Sequence, residues 1–417
     1  MKTIAMLTAK YPFNGGEQFI DVEAKYWSDN LHRCNLIIYP LSSSGDKRNY
    51  DDRIKINNCL YQDLTKYEKL LYLIRAFFSG LLYFELFNLI KLNKASFNNL
   101  YHVIKVVSKF YSIVDILSKS FKSDGVKTVY CYWNDIPSYA AVYLKRKGIV
   151  DEVYTRCHGY DIYEERTKNN YWPLKRFFNN SFNQYFVIAN SAKEYLIDKY
   201  GVDENLIDVS RLGVENNKVI TKPTANKETI NILSVSYCVE IKRIDKIIDA
   251  IYHFSQMNQN TNITWTHIGD GPLFSQIKTY AEKQFYDSNV SYEFLGNLTN
   301  ENVLNFYKEH EIDFFINGSE NEGVPVSIME AMVHSIPVIA PDVGGISELL
   351  ETEACVLLKS TYTVKDMALA INTLRDTCKS SKNREACRDK ILSEYNAKIN
   401  YEQFISIVSK SGELSSN

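Results

Sequence analysis

Short apolar runs recur along the chain, each closed by a polar turn and followed by a longer stretch with helical patterning. Residues 1–8, 34–39, 128–132, 153–157, 184–188 and 207–210 have the length and content of buried strands. The rhythm restarts at 230–235, 263–268, 290–295 and 312–316, after the polar, proline-containing stretch 216–228. Strands alternating with helices imply parallel sheets, and the polar break places a domain boundary near it. Helices are expected from about Glu17, from Trp133 and Pro137 to about Lys147, over 191–200 and over 326–333. The chain after about 350 is helical in pattern to about Ser409, and 410–417 reads as a disordered tail.

Residues 63–122 depart from this rhythm. From Leu70 to Phe87 the chain is almost wholly apolar, interrupted by Arg75, Gly80 and Glu85. A membrane span needs ~20 apolar residues, and those interruptions argue against one. Lys91, Lys94, Lys105, Lys109, Lys119 and Lys122 follow, interleaved with Phe97, Tyr101, Phe110 and Tyr111. Helices covering the first sheet and helices lying on an anionic membrane surface both fit this pattern. The two readings stand level.

Length and composition narrow the field. At 417 residues the chain is long enough for two cores. Hydrophobic content of 45% and charged content of 24% are those of a globular protein. A formal charge of −2 removes any global electrostatic case for nucleic acid, and none is expected as a partner. The eight cysteines are scattered, without a Cys-x-x-Cys or a His cluster beside them. That argues against zinc and for a reduced, intracellular chain. The apolar start is too short for a signal peptide and lacks a cleavage site. The expected location is the cytoplasm, with the inner face of the plasma membrane as the place of any peripheral contact.

Candidate chemistry gathers between residues 319 and 332. A polar loop, Ser319-Glu320-Asn321-Glu322-Gly323-Val324-Pro325, joins a short strand to a helix. In a parallel sheet such a loop lies at the carboxyl end of a strand, where ligands bind. Backbone N–H groups from Gly323 through Val326 to Ser327 would be the orphan donors of a helix N-terminus, a ready anion site. Glu322 and Glu330 bracket it, roughly 10 Å apart along the axis at ~1.5 Å rise per residue. That is too far to share a proton and suits gripping two ends of an extended ligand, such as a nucleotide diphosphate sugar. A solvated Glu322 and a surface Glu330 remain the plainer reading of the spacing alone.

Other loops offer weaker signals. Gly15 and Gly16 would let backbone approach a ligand closely. There is no Gly-x-Gly-x-x-Gly, so no nicotinamide or flavin cofactor is expected. His158-Gly159-Tyr160-Asp161 sits at the carboxyl end of a strand, while Glu164, Glu165, Arg166 and Lys168 read as a solvated charge run. No Asp-x-Asp occurs, so no metal bridge to a diphosphate is expected.

Glu322 and Glu330 with seven residues between them, Gly323 and Pro325 included, resemble the Glu-x7-Glu motif of the retaining glycosyltransferases of family four. The stretch from Ser335 to Glu348, with Pro337, Pro341, Gly344 and Gly345, continues that pattern. The resemblance covers most of the chain and is strongest from 230 to 350. It implies the GT-B architecture: two Rossmann-like doubly wound α/β domains facing a cleft. Residues 1–215 would form the acceptor-side domain and 216–394 the donor-binding domain. A last helix within 395–411 would pack back on the first.

The same resemblance implies site roles. Glu322 would hold hydroxyls of the donor sugar and Glu330 the nucleotide ribose. Gly15 and Gly16 would face the diphosphate and the acceptor, and His158 the sugar near the reacting centre. Gly296, Asn297 and Leu298 would lie against the base. Family members place an Arg and, five residues on, a Lys against the leaving diphosphate. Lys242 matches the Lys; Tyr237 stands where the Arg is expected. Arg243 is the nearest cation to replace it, at a position that is often Gly. His158, Glu322 and Lys242 would then carry the reaction. A UDP-sugar would donate, with retention, to a glycan or lipid-linked oligosaccharide in capsule, O-antigen or exopolysaccharide biosynthesis, with no metal or cofactor. An epimerase of the same architecture and a non-catalytic glycan-binding subunit stay open beside it.

Overall fold

The structure, a computed structural model, describes residues 1–410 apart from Gly15, Gln18, Lys168 and Asn217. The chain divides into two units, Met1–Arg211 with the chain from Lys398 onward, and Leu212–Ala397.

The first unit opens with β1 (Lys2–Thr8), α1 (Ile20–Asp29), β2 (Cys34–Pro40) and β3 (Lys55–Ile56). Three helices follow, α2 (Lys66–Phe77), α3 (Gly80–Lys91) and α4 (Phe97–Asp124). Then come β4 (Thr128–Cys131), α5 (Ile136–Arg146), β5 (Glu152–Cys157), α6 (Lys175–Phe178), β6 (Gln184–Val187), α7 (Asn190–Tyr200) and β7 (Ile207–Val209). The strands form one sheet in the order β3-β2-β1-β4-β5-β6-β7, parallel throughout. Parallel strands are covered on both faces, so they read as continuous apolar runs. Ile4, Ala5, Met6 and Leu7 are accordingly all buried.

Local chemistry sets the helix breaks in 63–122. Thr65 and Glu68 form a capping box at the start of α2, and Ser79 caps α3 by accepting from the Leu82 N–H. The Ser79 cap ends one helix and begins the next, and the two axes differ by 63°. Gly125, at φ 66°, closes α4 in the left-handed conformation that glycine adopts freely.

The second unit holds β8 (Thr229–Val235), α8 (Ile244–Met257), β9 (Asn262–Ile268), α9 (Phe274–Gln284), β10 (Val290–Gly296), α10 (Asn300–Glu309) and β11 (Phe314–Ile316). It continues with α11 (Val326–Val333), β12 (Val338–Pro341), α12 (Ile346–Leu349), β13 (Val356–Leu358), α13 (Val364–Arg375) and α14 (Ser381–Glu394). Its sheet runs β10-β9-β8-β11-β12-β13, again parallel. The two ends of this unit meet: Val214 donates to the Tyr395 carbonyl at 2.9 Å, and Ala397 donates back to Val214 at 3.1 Å.

The last helix, α15 (Ala397–Lys410), belongs to the first unit from Lys398. Phe404 packs its ring against Trp27, Tyr130 and Phe186. It also covers the buried Arg156, whose guanidinium carbon lies 4.3 Å from the ring centroid. Beneath, Arg156 meets Glu23 at 3.6 Å and donates to the Tyr130 hydroxyl at 3.0 Å.

Several expectations need correction. The first helix begins at Ile20, not Glu17, because Glu17 takes φ 57° and turns its carboxylate back into the preceding loop. Within the charge run Glu165 is exposed and Lys168 lies outside the described residues, but Glu164 is not solvated: it is buried and paired with Lys94 and Arg176 at 2.7 and 2.6 Å. Phe110 and Tyr111, which one of the two level readings put on a basic surface, are core residues. The stretch after 350 is not all helix, since β13 adds an edge strand. Residues 411–417 and Gly15 lie outside the described residues.

Candidate functional site

In the second sheet the chain winds one way from β8, through β9 to β10, and the other way from β11, through β12 to β13. Open sheets bind ligands at such a reversal, beyond the carboxyl ends of the two strands. The pairing of Phe314 with Ile232 and Phe315 with Leu233 therefore brings together the loop 236–243 and the loop 317–325. The second loop is held from both sides. Glu320 donates its N–H to the Ile241 carbonyl at 2.9 Å, and the Tyr362 hydroxyl donates to the Gly318 carbonyl at 2.6 Å. Gly345 donates to the Gly323 carbonyl at 2.7 Å. At Gly344, where φ is 61°, a Cβ would lie 2.1 Å from the Glu322 carbonyl oxygen, so only glycine lets that turn press against the loop.

The charges are arranged within this frame. Lys242 donates its ammonium to Glu322 Oε1 at 2.6 Å, with both side chains mostly shielded from solvent. Arg243 sits at φ 46°, which explains why glycine suits the position. Its guanidinium is occupied by Asp245, at 3.0 and 2.8 Å, and by Glu320. Lys246 also reaches Glu320, at 3.1 Å. Tyr237 is exposed. Pro325 stands at the N-cap of α11, one residue before its first turn, followed by Val326 and Ser327. Ser319 Oγ and Asn321 Oδ1 are buried without a hydrogen-bond partner among the described residues, an arrangement that a polar ligand would complete.

Glu330 is not the surface side chain its spacing suggested. It is buried on α11, and burial pushes its carboxyl up to about 7, opposed by a hydrogen bond from Asn300. That bond, Asn300 Nδ2 to Oε1 at 2.7 Å, links Glu330 to the loop of Gly296, Asn297 and Leu298. Gly296 ends β10 at φ 67° and accepts the Gly269 N–H at 2.8 Å. Thr299 then caps α10, whose first residue is Asn300. The loop assigned to the base and the carboxylate assigned to the ribose are thus tied by one amide.

The first unit carries its own reversal, between β1 and β4. Glu17 clamps the loop after β1, accepting N–H groups of Ala9, Lys10 and Tyr11 at 3.0, 2.6 and 2.6 Å. It also accepts the Trp133 indole N–H at 2.6 Å. Gly16, at φ 141°, lies just before it. His158, following β5, has its ring against Trp133 and Tyr132, with centroids at 4.6 and 4.8 Å. Among the described residues neither ring nitrogen has a hydrogen-bond partner, and Nδ1 lies 4.0 Å from Asp161. Asp161 fixes this turn by accepting the N–H groups of His158 and Asn134 at 2.7 and 2.8 Å. Burial opposes the Asp161 charge, but His158 and the Lys175 ammonium outweigh it and hold the carboxyl below its ordinary range.

Lys242, Arg243, Gly296, Asn297, Leu298, Glu322–Ser327 and Glu330 all belong to loops and helix starts of the second unit, and Gly16 and His158 to the first. Sequence reasoning missed Glu17, Trp133, Asn300 and the direct pairing of Lys242 with Glu322. The pairings of Glu17 with Trp133, Asn300 with Glu330 and Lys242 with Glu322 join residues 116, 30 and 80 apart along the chain, so no local pattern announces them.

Residues 215–390 match the family model described as glycosyl transferases group 1. The WcaL protein of Escherichia coli K12, named for colanic acid biosynthesis, is 24% identical over 268 residues, which is 62% of this chain and 64% of that protein. The O-antigen biosynthesis glycosyltransferase WbnH of Escherichia coli is 26% identical over 256 residues, 60% of this chain and 69% of its own length. Among solved structures, the lipopolysaccharide outer core galactosyltransferase WaaB superposes with a TM-score of 0.71 at 16% identity, over 97% of this chain and 99% of that one. These likenesses show the GT-B fold, two parallel-sheet α/β domains.

Proposed function

We propose that the chain, whose residues 215–390 match the model of the group 1 glycosyl transferases, is a retaining, metal-independent glycosyltransferase. It would move a hexosyl unit from a UDP-sugar to a glycan or lipid-linked oligosaccharide during synthesis of a bacterial surface polysaccharide. The carrying observation is the Lys242–Glu322 pair set before the first turn of α11, with Glu330 buried behind it. The α11 N–H groups and Lys242 are placed to take the negative charge that develops on a departing diphosphate, the interaction that strengthens most in the transition state. Glu322 orients the Lys242 ammonium and meets hydroxyls of the sugar; Glu330 takes the ribose. In this reading the C1–O bond to the diphosphate breaks and the bond from the acceptor oxygen to C1 forms on the same face. The acceptor proton passes to a phosphate oxygen. The UDP donor is supported by the fold shared with Anabaena HepE, solved in complex with UDP-glucose, at a TM-score of 0.63 and 14% identity over 97% of this chain and 99% of that one.

Thermal unfolding against a panel of nucleotide sugars, with EDTA present, tests this, since a ligand that binds only the folded state raises its stability. A UDP-sugar should raise Tm, and transfer should persist after metal stripping. No shift from any nucleotide sugar, or turnover lost to EDTA and restored by Mn²⁺, would sink the reading. A new epimer formed without acceptor would replace it with the epimerase.

A further inference from the structure

The surface that this chemistry leaves unused lies on α2 and α3. Leu70 and Ile74 stand in solvent on α2, and Phe78 at the elbow is 85% exposed. On α3, Tyr83, Phe87 and Ile90 are 62%, 62% and 71% exposed. Their spacing is a helical stripe, but on the wrong side: α3 also buries Leu81, Leu82 and Leu89 in the core, so the helix is apolar on both faces. Soluble surfaces rarely expose such a run, and one this continuous marks an interaction site.

Charge selects the partner. Lys66, Lys69 and Lys91 are exposed at the ends of α2 and α3, and Lys105 and Lys109 are exposed on α4. Of the two carboxylates on α2 and α3, only Glu68 is exposed among these lysines. Glu68 closes the capping box with Thr65, and Glu85 is buried, accepting the Tyr171 hydroxyl at 2.7 Å. An apolar stripe rimmed by ammonium groups complements an anionic lipid surface. A second copy, meeting this patch across a two-fold axis, would set the basic rim against itself.

We propose that the α2–α3 elbow inserts side-on into one leaflet of an anionic bilayer, with its apolar stripes at the acyl boundary and its lysines among the headgroups. Among the described residues no single helix is long and apolar enough to cross a membrane. The inner face of α3 is committed to the core, so the elbow lies in the interface and does not span it. This differs from a purely electrostatic anchor: salt screens the lysines over ~10 Å at 0.1 M and leaves apolar burial untouched. The inference is independent of the transfer chemistry.

The full chain is sedimented with phosphatidylcholine vesicles, with and without phosphatidylglycerol, in the absence of nucleotide. It should pellet with the anionic vesicles and remain largely bound at ~1 M NaCl. A variant carrying Phe78→Ser, Tyr83→Ser, Phe87→Ser and Ile90→Ser should lose at least roughly tenfold in vesicle affinity and keep its thermal transition. As a second readout that does not depend on that variant folding, Phe87→Trp should gain fluorescence that acyl-brominated lipid quenches, beyond any quenching of the unsubstituted protein. Release by salt, equal pelleting of the variant, or an unquenched Trp would overturn the proposal. So would a dimer in light scattering that the four substitutions dissolve, which would give the patch to a second copy. Failure of nucleotide-sugar binding would leave the vesicle result standing, so the two readings fail separately.

Discussion

Burial pushes the Glu330 carboxyl up to about 7 and leaves it half-neutral near physiological pH. The sign follows from linkage. A folded-state pKa above the ordinary carboxylate value means the folded chain holds a proton that the unfolded chain has lost. The stability this group contributes is full below the ordinary carboxylate range and is lost as pH rises toward about 7. A ribose that takes Glu330 as an ionised acceptor reverses the preference. We predict that UDP-glucose affinity rises between about pH 6 and about pH 8, by no more than about tenfold per unit. UDP-glucose is the right probe because, unlike free UDP, it has no terminal phosphate proton to lose there. Glu330→Gln should flatten the profile and weaken donor and free UDP alike, by roughly 1.5–3 kcal/mol or about ten- to a hundred-fold. Glu322→Gln should behave differently, because Glu322 already holds Lys242 at 2.6 Å. Removing its charge releases that ammonium to the diphosphate, so free UDP should bind at least as well while transfer collapses. Calorimetry of UDP against both variants decides: a parallel loss of UDP affinity would dissolve the division of roles.

At the scale of the element, α15 offers a sharp test. Phe404 is buried among Trp27, Tyr130 and Phe186 and lies over Arg156. Phe404→Ala should cost roughly 3–5 kcal/mol in urea unfolding of the first unit, while UDP binding by the second stays unchanged. Loss of UDP binding in parallel would refute that separation. The strands were legible because a parallel strand is covered on both faces and shows as an apolar run. The two-residue β3, the inner strand β12 and the edge strand β13 were not: β3 and β13 are too short to make a pattern, and β12 follows Pro337 and ends in Pro341. Helix α11 was readable as a helix, but being buried nearly all round it hid the burial of Glu330. Glu164 misled for another reason: its partners Lys94 and Arg176 lie 70 and 12 residues away, so its charge looked solvated. In 63–122 the apolar run was plain in sequence. Which face of it meets water was decided by packing: the aromatic pair Phe110 and Tyr111 went inward, and the face of Tyr83, Phe87 and Ile90 stayed out.

Taken whole, the molecule is two folding units that the chain joins twice, near Arg211 and near Ala397. Each unit closes on itself. Val214 and Ala397 pair at the ends of the second, and α15 returns to the core of the first. Apart from Gly16, which the resemblance also turns toward the diphosphate, the described residues assigned to the nucleotide, from Lys242 through Gly296 to Glu330, lie in the second unit. Free UDP should therefore stabilise that unit on its own, by about 2.7 kcal/mol when present at about a hundred times its Kd. Hydrogen exchange measures this unit by unit, because amides that exchange through opening of a whole unit slow in proportion to its added stability. Amides of β8, β11 and α11 should slow on adding UDP, while those of the β1–β7 sheet keep their rates. Equal slowing of both sheets would mean that the two units open together as one cooperative block, and the separate ledgers used for Phe404 and Glu330 would have to be merged. Slowing confined to the β1–β7 sheet would place the nucleotide on the other unit and remove the roles given to Glu322 and Glu330.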